Sequence, residues 1–317
     1  MKTSYERATI FLITAGFLFA SAAMTSAAST APTAKAYATP EVAVDDFLGA
    51  IRNYDLKALL SIFGSEAERI FVSEDPVADE NLRKEFLRLY DEKHEIKPEG
   101  DLKRILLVGT DPWPMPVPLV KSMEGWRFDT ESGIDEIINR RIGRNELSAI
   151  QTCLAAGDAQ REYFRRDHDG DDILEYAQTF RSSAGHQDGL YWPAAEGEPE
   201  SPMGELVATA SDEGYGPVDT AFHGYRYRFL TAQGAAAPGG AYNYMVRGNQ
   251  IGGFAVVAYP ASYGDSGVMT FMMSHAGIVY QKDLGENTEA AALSMESFNP
   301  EGWAEVDKKD LAIIPDR

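Results

Sequence analysis

The pattern that most restricts the fold is a long run of apolar residues at helical spacing between Ile134 and Phe164. Apolar side chains recur along it in a helical pattern, at Ile137, Ile138, Ile142, Leu147, Ile150, Leu154 and Tyr163. This spacing predicts one long helix with a single apolar face. Gly143 and Gly157 lie inside the run, so we expect the helix to bend or break at these two positions.

Short segments rich in β-branched and aromatic residues replace this pattern after Gly214. They predict strands over residues 225–230, 252–259, 268–274 and 278–282. The link from Ser274 to Gly277 has the length of a hairpin turn, with a glycine where the turn needs a positive φ. A long helix followed by an antiparallel meander predicts one domain over residues 131–317, closed by a C-terminal strap from Glu286 onward.

The residues before the long helix predict a smaller domain in which helices precede strands. Thr39 and Asp55 each stand at the start of an apolar periodic segment, as N-caps that accept backbone hydrogen bonds. A further helix and two strands are expected over residues 82–90, 105–108 and 126–128. Helices followed by a sheet predict an α+β domain over residues 39–130, and an α+β class for the whole chain.

Prolines occupy every second position from Pro112 to Pro118, with Trp113, Met115 and Val117 between them. In an extended strand, this alternation removes the backbone donors from one edge and keeps them on the other. We expect a strand that pairs on one side only. The alternative is a polyproline segment that binds a partner protein.

The first residues predict export. Lys2 and Arg7 precede an uncharged stretch over residues 8–24, and Ser26-Ala27-Ala28 provides the small residues of a cleavage site. We expect a signal peptide over residues 1–28, a disordered linker over residues 29–38, and a mature protein that is periplasmic or secreted. An uncleaved membrane anchor is the alternative, because the apolar stretch is near the shorter limit for spanning a bilayer. No cysteine follows the stretch closely, so a lipid anchor is not expected.

The charge balance limits the class of partner. The chain has 49 acidic and 29 basic residues, and a formal net charge of −20. Such a charge repels phosphate backbones and anionic lipids, which argues against binding to nucleic acid or to a membrane surface. Cys153 is the only cysteine, so no disulfide can form within the chain, and its apolar neighbours predict a buried, unreactive thiol.

The densest group of carboxylates is formed by Asp167, Asp169, Asp171, Asp172 and Glu175. Alternating aspartates around a glycine turn can converge on Ca²⁺, which prefers oxygen ligands. The match to an EF-hand loop is incomplete. Asp172 takes position six, where glycine makes the turn, and Gln178 takes position twelve, where a bidentate glutamate is expected. The alternative to a calcium site is a solvated acidic loop.

Two other groups of residues are candidates for function. Ser266 lies in a Gly-Asp-Ser-Gly sequence typical of a nucleophilic serine, but a tight turn between strands explains the same residues. Tyr225 and Tyr227 should share one strand face, with Arg226 on the other, and together with Trp113 they are candidates for a binding surface. The five histidines are scattered, without the spacing of a zinc site.

Several blocks of sequence resemble the bacterial domain-of-unknown-function family 2950. They are residues 140–147 (RRIGRNEL), 188–193 (DGLYWP), 252–255 (GGFA) and 263–271 (YGDSGVMTF). The resemblance implies an exported bacterial protein with no assigned reaction, so it supplies no catalytic residues.

Two resemblances concern the fold alone. Residues 39–130 are similar to cystatin-like folds of the nuclear-transport-factor type, and residues 131–317 to the globular domains of type IV pilins and pseudopilins. Pseudopilins often hold calcium in a loop, which adds to the case for the acidic loop. From all of these observations we expect an exported, non-catalytic protein that binds an envelope protein or a small ligand. It should require no cofactor, with Ca²⁺ as a candidate ligand of the acidic loop. The alternative is a periplasmic hydrolase that uses Ser266 or the acids from Asp167 to Glu175.

Overall fold

The computed structural model describes residues 34–194, 200–216 and 221–311. The predicted signal peptide and its cleavage site lie outside these ranges. The helices are α1 (Pro40–Arg52), α2 (Leu56–Phe63), α3 (Glu68–Phe71), α4 (Pro76–Glu92), α5 (Thr130–Tyr163), α6 (Gly204–Glu213), α7 (Thr288–Ser294) and α8 (Lys308–Leu311). The strands are β1 (His94–Glu99), β2 (Lys103–Val108), β3 (Trp113–Pro114), β4 (Leu119–Ser122), β5 (Gly125–Phe128), β6 (Thr179–Arg181), β7 (Gly189–Tyr191), β8 (Tyr225–Leu230), β9 (Ala232–Gln233), β10 (Tyr242–Asn243), β11 (Met245–Val246), β12 (Asn249–Gln250), β13 (Ala255–Pro260), β14 (Met269–Ser274), β15 (Val279–Asp283), β16 (Ser297–Phe298) and β17 (Ala304–Glu305). Helices and mainly antiparallel sheets confirm the predicted α+β class.

The first helices begin at the N-caps that the sequence predicts. The side-chain oxygens of Thr39 and Asp55 each accept a backbone N–H three residues further on. The helix expected over residues 82–90 is also present, but it begins earlier. It starts after Asp75, whose carboxylate caps α4 in the same way as Asp55 caps α2.

Strands β1, β2, β4 and β5 form an antiparallel sheet in that order, with β3 paired to β2. Helices α1 and α2 cover this sheet next to β5, and the core between them is aromatic. The rings of Phe63 and Phe128 stack with their centroids 4.3 Å apart, and Phe47 meets both edge-on. This core belongs to the first half of the chain.

The predicted disordered linker over residues 29–38 is wrong for residues 34–38, the part that the structure describes. The backbones of Tyr37 and Trp126 exchange two hydrogen bonds of 2.8 Å, and the Tyr37 side chain is buried. The Tyr37 hydroxyl donates to Asp46 on α1 (2.7 Å). This segment therefore extends the sheet beside β5.

The proline segment is a strand only at Trp113 and Pro114, so the prediction of a strand along its whole length is wrong. The apolar residues between the later prolines do turn inward, since Met115 and Val117 are buried in the first core. Trp113 is 39% exposed. The burial of Met115 and Val117 accounts for their apolar character without a partner protein.

Helix α5 runs for 34 residues without the expected break at Gly143 or Gly157. A Cβ at Gly143 would meet open space, whereas a Cβ at Gly157 would lie 2.6 Å from Met273 Cε on β14. Gly133, near the start of α5, lies just as close to the backbone of Pro116. Gly133 and Gly157 therefore allow close packing, and α5 contacts both the first core and the sheet of the second half.

The second half contains the predicted meander, with strand order β17-β15-β14-β13-β8 and all neighbours antiparallel. Helix α5 packs on one face of it through Ala149, Ile150 and Cys153. The predicted C-terminal strap also contributes to packing, because Phe298 is buried and Trp303 packs against the same apolar cluster. No helix in the described ranges combines the length and apolar character needed to cross a bilayer.

Candidate metal site, cavity and buried polar network

The acidic loop between α5 and β6 brings three carboxylates together. One carboxylate oxygen from each of Asp167, Asp169 and Asp171 lies within 4.8 Å of the others, and all three side chains are exposed. His168 lies between the first two aspartates but turns inward, with its ring stacked on Tyr163 at 3.9 Å. The loop thus directs its aspartates to solvent and is anchored by the histidine between them.

Backbone N–H groups of the loop fold around the Asp167 carboxylate. Those of Asp169 and Gly170 donate to Oδ1, and that of Asp172 donates to Oδ2 at 2.9 Å. These hydrogen bonds hold the pKa of Asp167 below its usual range, since they favour the charged form. Asp172 has φ +64°, the left-handed conformation for which glycine is favoured at position six of an EF-hand loop. The departure at position six therefore does not prevent the turn.

The other acidic residues tie the loop to the hairpin of β11 and β12. Asp171 Oδ2 accepts from Asn249 Nδ2 (2.8 Å), and Glu175 Oε2 accepts from the backbone N–H of Gln250 (3.1 Å). Burial raises the pKa of Glu175, and the nearby carboxylates of Asp169 and Asp171 raise it further. Gln178, at position twelve, donates to Gly248 O instead of turning toward the aspartates. The loop has carboxylates at positions one, three, five, six and nine, and those at positions one, three and five form the convergent group.

Ser266 is buried and bonded within its own turn. Its side chain is 1% exposed, and its hydroxyl donates to Ser262 O (3.1 Å) and accepts from Ser262 N (2.9 Å). Among the described residues, no histidine lies within hydrogen-bonding distance of this hydroxyl. Asp265, the residue before it, forms an ion pair with Arg141 on α5 (3.2 Å). The Gly-Asp-Ser-Gly sequence therefore forms a buried turn, which is the alternative to a nucleophilic serine.

This turn joins two of the blocks on which the family resemblance rests. Asn145 Nδ2 donates to Ser266 O (2.9 Å), and Glu146 Oε1 accepts from the backbone N–H groups of Val268 (3.0 Å) and Met269 (2.9 Å). Both residues belong to the block over 140–147, and their partners belong to the block over 263–271. The two blocks together fix α5 to the start of β14.

The prediction that Tyr225 contributes to a binding face on β8 is wrong. Its side chain is 0% exposed, and its hydroxyl donates to Met269 O (2.8 Å), so it belongs to the core under α5. Tyr227 packs against the same core. On the other face, Arg226 forms an ion pair with Glu289 on α7 (2.7 Å). These side chains are occupied by contacts within the chain.

Trp113 lies on a different part of the molecule from Tyr225, in the first half of the chain. The guanidinium of Arg140 on α5 lies over its indole ring, 5.5 Å from the centroid. The four residues predicted to form one binding surface therefore do not lie on one surface.

A cavity of about 80 Å³ lies between α5, α6 and the strands β6 to β8. Its walls are mostly apolar, with the rings of Phe180, Tyr191 and Tyr227 on one side and Leu206 and Val207 of α6 on another. Pockets for small molecules are typically about 300–1,000 Å³ in volume. The cavity is therefore large enough for only a few heavy atoms in this conformation.

A buried polar network that the sequence patterns do not predict lies next to this cavity. Asp75 is 3% exposed, and besides capping α4 it accepts hydrogen bonds from the Tyr215 hydroxyl (2.8 Å) and the Gly224 backbone N–H (3.0 Å). His223 lies beside Tyr215 and 3.4 Å from a Glu213 oxygen. Burial lowers the pKa of His223 and raises that of Tyr215. The Asp75-Pro76 pair predicts a helix cap, but nothing local to it points to Tyr215 or Gly224.

Cys153 is fully buried under the sheet, as the sequence predicts. Burial raises the pKa of its thiol to about 12. A thiol in this state is neither ionised at neutral pH nor reachable by a substrate.

Comparison with known proteins gives one match. A family model described as "Protein of unknown function (DUF2950)" matches residues 34–306. No curated protein and no solved structure matches the chain, so the likenesses to pilins and to nuclear-transport-factor folds are not confirmed. The family match covers both halves of the described chain, including the long helix and the meander. The chain belongs to this family of unknown function, DUF2950.

Proposed function

We propose that this chain is an exported, non-catalytic binding protein of the cell envelope whose acidic loop, residues 167–175, holds Ca²⁺. Support for the calcium site comes from the convergence of carboxylate oxygens from Asp167, Asp169 and Asp171 within 4.8 Å. Export is inferred from the charge and apolar pattern of residues 1–28. The partner is an envelope protein or a small ligand.

Charge repulsion within the loop favours a cation there. Three aspartates face the same point, and their charges contribute to the raised pKa of Glu175. A bound divalent cation would offset this repulsion and would take hard oxygen ligands, which these residues supply. Because Asp171 and Glu175 contact β12, binding of the cation would also stabilise the sheet region of the second half.

A binding role is better supported than the hydrolase alternative. The Ser266 hydroxyl is buried and engaged with Ser262, and Cys153 is sealed in the core. The exposed acids of the loop accept hydrogen bonds from backbone N–H groups. In the described chain, their hydrogen-bond partners include no histidine and no buried acid.

The test is thermal unfolding of the purified protein in CaCl₂, in MgCl₂ and in a chelator at matched ionic strength. A ligand that binds only the folded state raises its stability, by about 2.7 kcal/mol at a free concentration one hundred times Kd. We expect Ca²⁺ to raise Tm in the wild type, and Asp169→Asn to remove most of this shift. Asparagine keeps an oxygen for the hydrogen bond from the Asp171 backbone. The change therefore removes mainly charge.

Asp101→Asn is the matched control, because Asp101 is also exposed but lies in the turn between β1 and β2. It should retain the full calcium shift. The proposal is wrong if the wild type shows no shift in CaCl₂, or if Asp169→Asn and Asp101→Asn respond equally.

A further inference from the structure

Arg144 on α5 is a half-buried cation that has no partner among the residues 34–194, 200–216 and 221–311. It makes no hydrogen bond and no ion pair with any residue that the structure describes. Removing an arginine from water without providing an acceptor is unfavourable, and partly buried charges are normally paired. No residue in the described ranges therefore offsets the charge of Arg144.

The neighbouring arginines are already committed. Arg141 is buried, paired with Asp265, and donates to the backbone oxygens of Arg69 and Ile70 at 2.9 and 3.0 Å. Arg140 forms an ion pair with Glu136 (2.7 Å). The two acidic partners, Glu136 and Asp265, are therefore already paired with other arginines.

These neighbours also repel Arg144. Burial lowers the pKa of Arg144, and the charges of Arg141 and Arg140 lower it further. An incoming anion would relieve both effects.

We propose that Arg144, with Arg140 one helical turn before it on α5, binds an oxyanion, a carboxylate or a phosphate, carried by a ligand or partner of this protein. The guanidinium presents a planar set of donors that matches two oxygens of either group. Trp113 is 39% exposed and lies against Arg140, so an exposed aromatic surface adjoins the arginine one helical turn from Arg144. Tryptophan and arginine are the residue types that most often dominate binding interfaces.

The site is independent of the calcium loop, since it lies near the middle of α5 whereas the loop follows the end of that helix. Its test uses inorganic phosphate and succinate, with chloride at the same ionic strength as reference. We expect each effective oxyanion to raise the Tm of the wild type in a saturable way. Arg144→Met should abolish that increase.

The behaviour of the variant in chloride separates binding from a structural role. Arg144→Met removes an unpaired charge, so its Tm in chloride should equal or exceed that of the wild type. Arg88→Met is the control, because Arg88 is an exposed arginine with two acidic partners on α4. It should keep the oxyanion response.

A rise in Tm with phosphate alone identifies the bound group as a phosphoryl group. A rise in Tm with succinate as well shows that the site also binds carboxylates. The proposal is overturned if chloride at equal ionic strength reproduces the wild-type shift, or if Arg144→Met retains it. A Tm in chloride that falls in Arg144→Met would assign this residue to the stability of α5 instead.

Discussion

Replacing Asp75 by alanine should destabilise the protein far more than the loss of a helix cap. Asp75 Oδ1 caps α4 through the Ala78 N–H, and removal of such a cap costs about 1 kcal/mol. The substitution also leaves the Tyr215 hydroxyl and the Gly224 N–H without their acceptor. Each buried donor without a partner costs about 1–3 kcal/mol. His223 Nδ1 lies 3.4 Å from the Tyr215 oxygen and can accept part of that hydrogen bond. We therefore expect a total loss of roughly 3–5 kcal/mol.

The chain provides a matched control in Asp55. Its Oδ1 caps α2 through the Ala58 N–H at 3.0 Å, with the same spacing as at Asp75, but its side chain is exposed and has no further partner in the described chain. Asp55→Ala should cost about 1 kcal/mol. Urea unfolding followed by circular dichroism measures both variants. Equal losses for Asp55→Ala and Asp75→Ala would refute the assignment of Asp75 as a centre that joins α4 to residues of the second half.

Two further predictions concern the packing of α5 and the pH dependence of stability. Gly143→Ala should raise the free energy of unfolding by roughly 0.5–1 kcal/mol, because the new Cβ meets open space. Gly133→Ala should lower it by about 1–3 kcal/mol, because the new Cβ would lie 2.6 Å from the backbone oxygen of Pro116. Urea midpoints of the two variants should move in opposite directions, and movement in the same direction would contradict the packing described for α5. The pKa of His223 lies below its ordinary value of 6.5, so below that pH the unfolded chain binds more protons than the folded chain. Stability should therefore fall as pH drops through this range, and His223→Asn should show a smaller fall. Asparagine tolerates the positive φ of this position. An unchanged difference between urea midpoints at about pH 7 and about pH 5 would show that His223 makes no such contribution.

The site predictions show where sequence patterns lose information. The alternation of residues along β8 correctly places Tyr225 and Tyr227 on one face, but it does not state whether that face meets solvent or another layer. Helix α5 covers it, so Tyr225 is in the core. The Gly-Asp-Ser-Gly sequence likewise fits a nucleophile or a turn, and only the contacts of Ser266 with Ser262 decide between them.

Features that depend on neighbours a few residues apart follow from local sequence alone. Thr39 and Asp55 cap their helices, the apolar period predicts α5, and the glycine at position 277 closes the hairpin, because each of these effects acts within one turn or one hairpin. The acidic loop is of the same kind, since its aspartates lie two residues apart.

Tertiary structure decided the features that join distant parts of the chain. The Asp75–Tyr215 hydrogen bond spans 140 positions, and the Arg141–Asp265 pair spans 124. The lack of a partner for Arg144 within the described ranges is of this kind too, since it depends on which acids the fold brings near α5. Contacts of this range follow from how helices and sheets pack, and no local period or spacing encodes which partner will be reached.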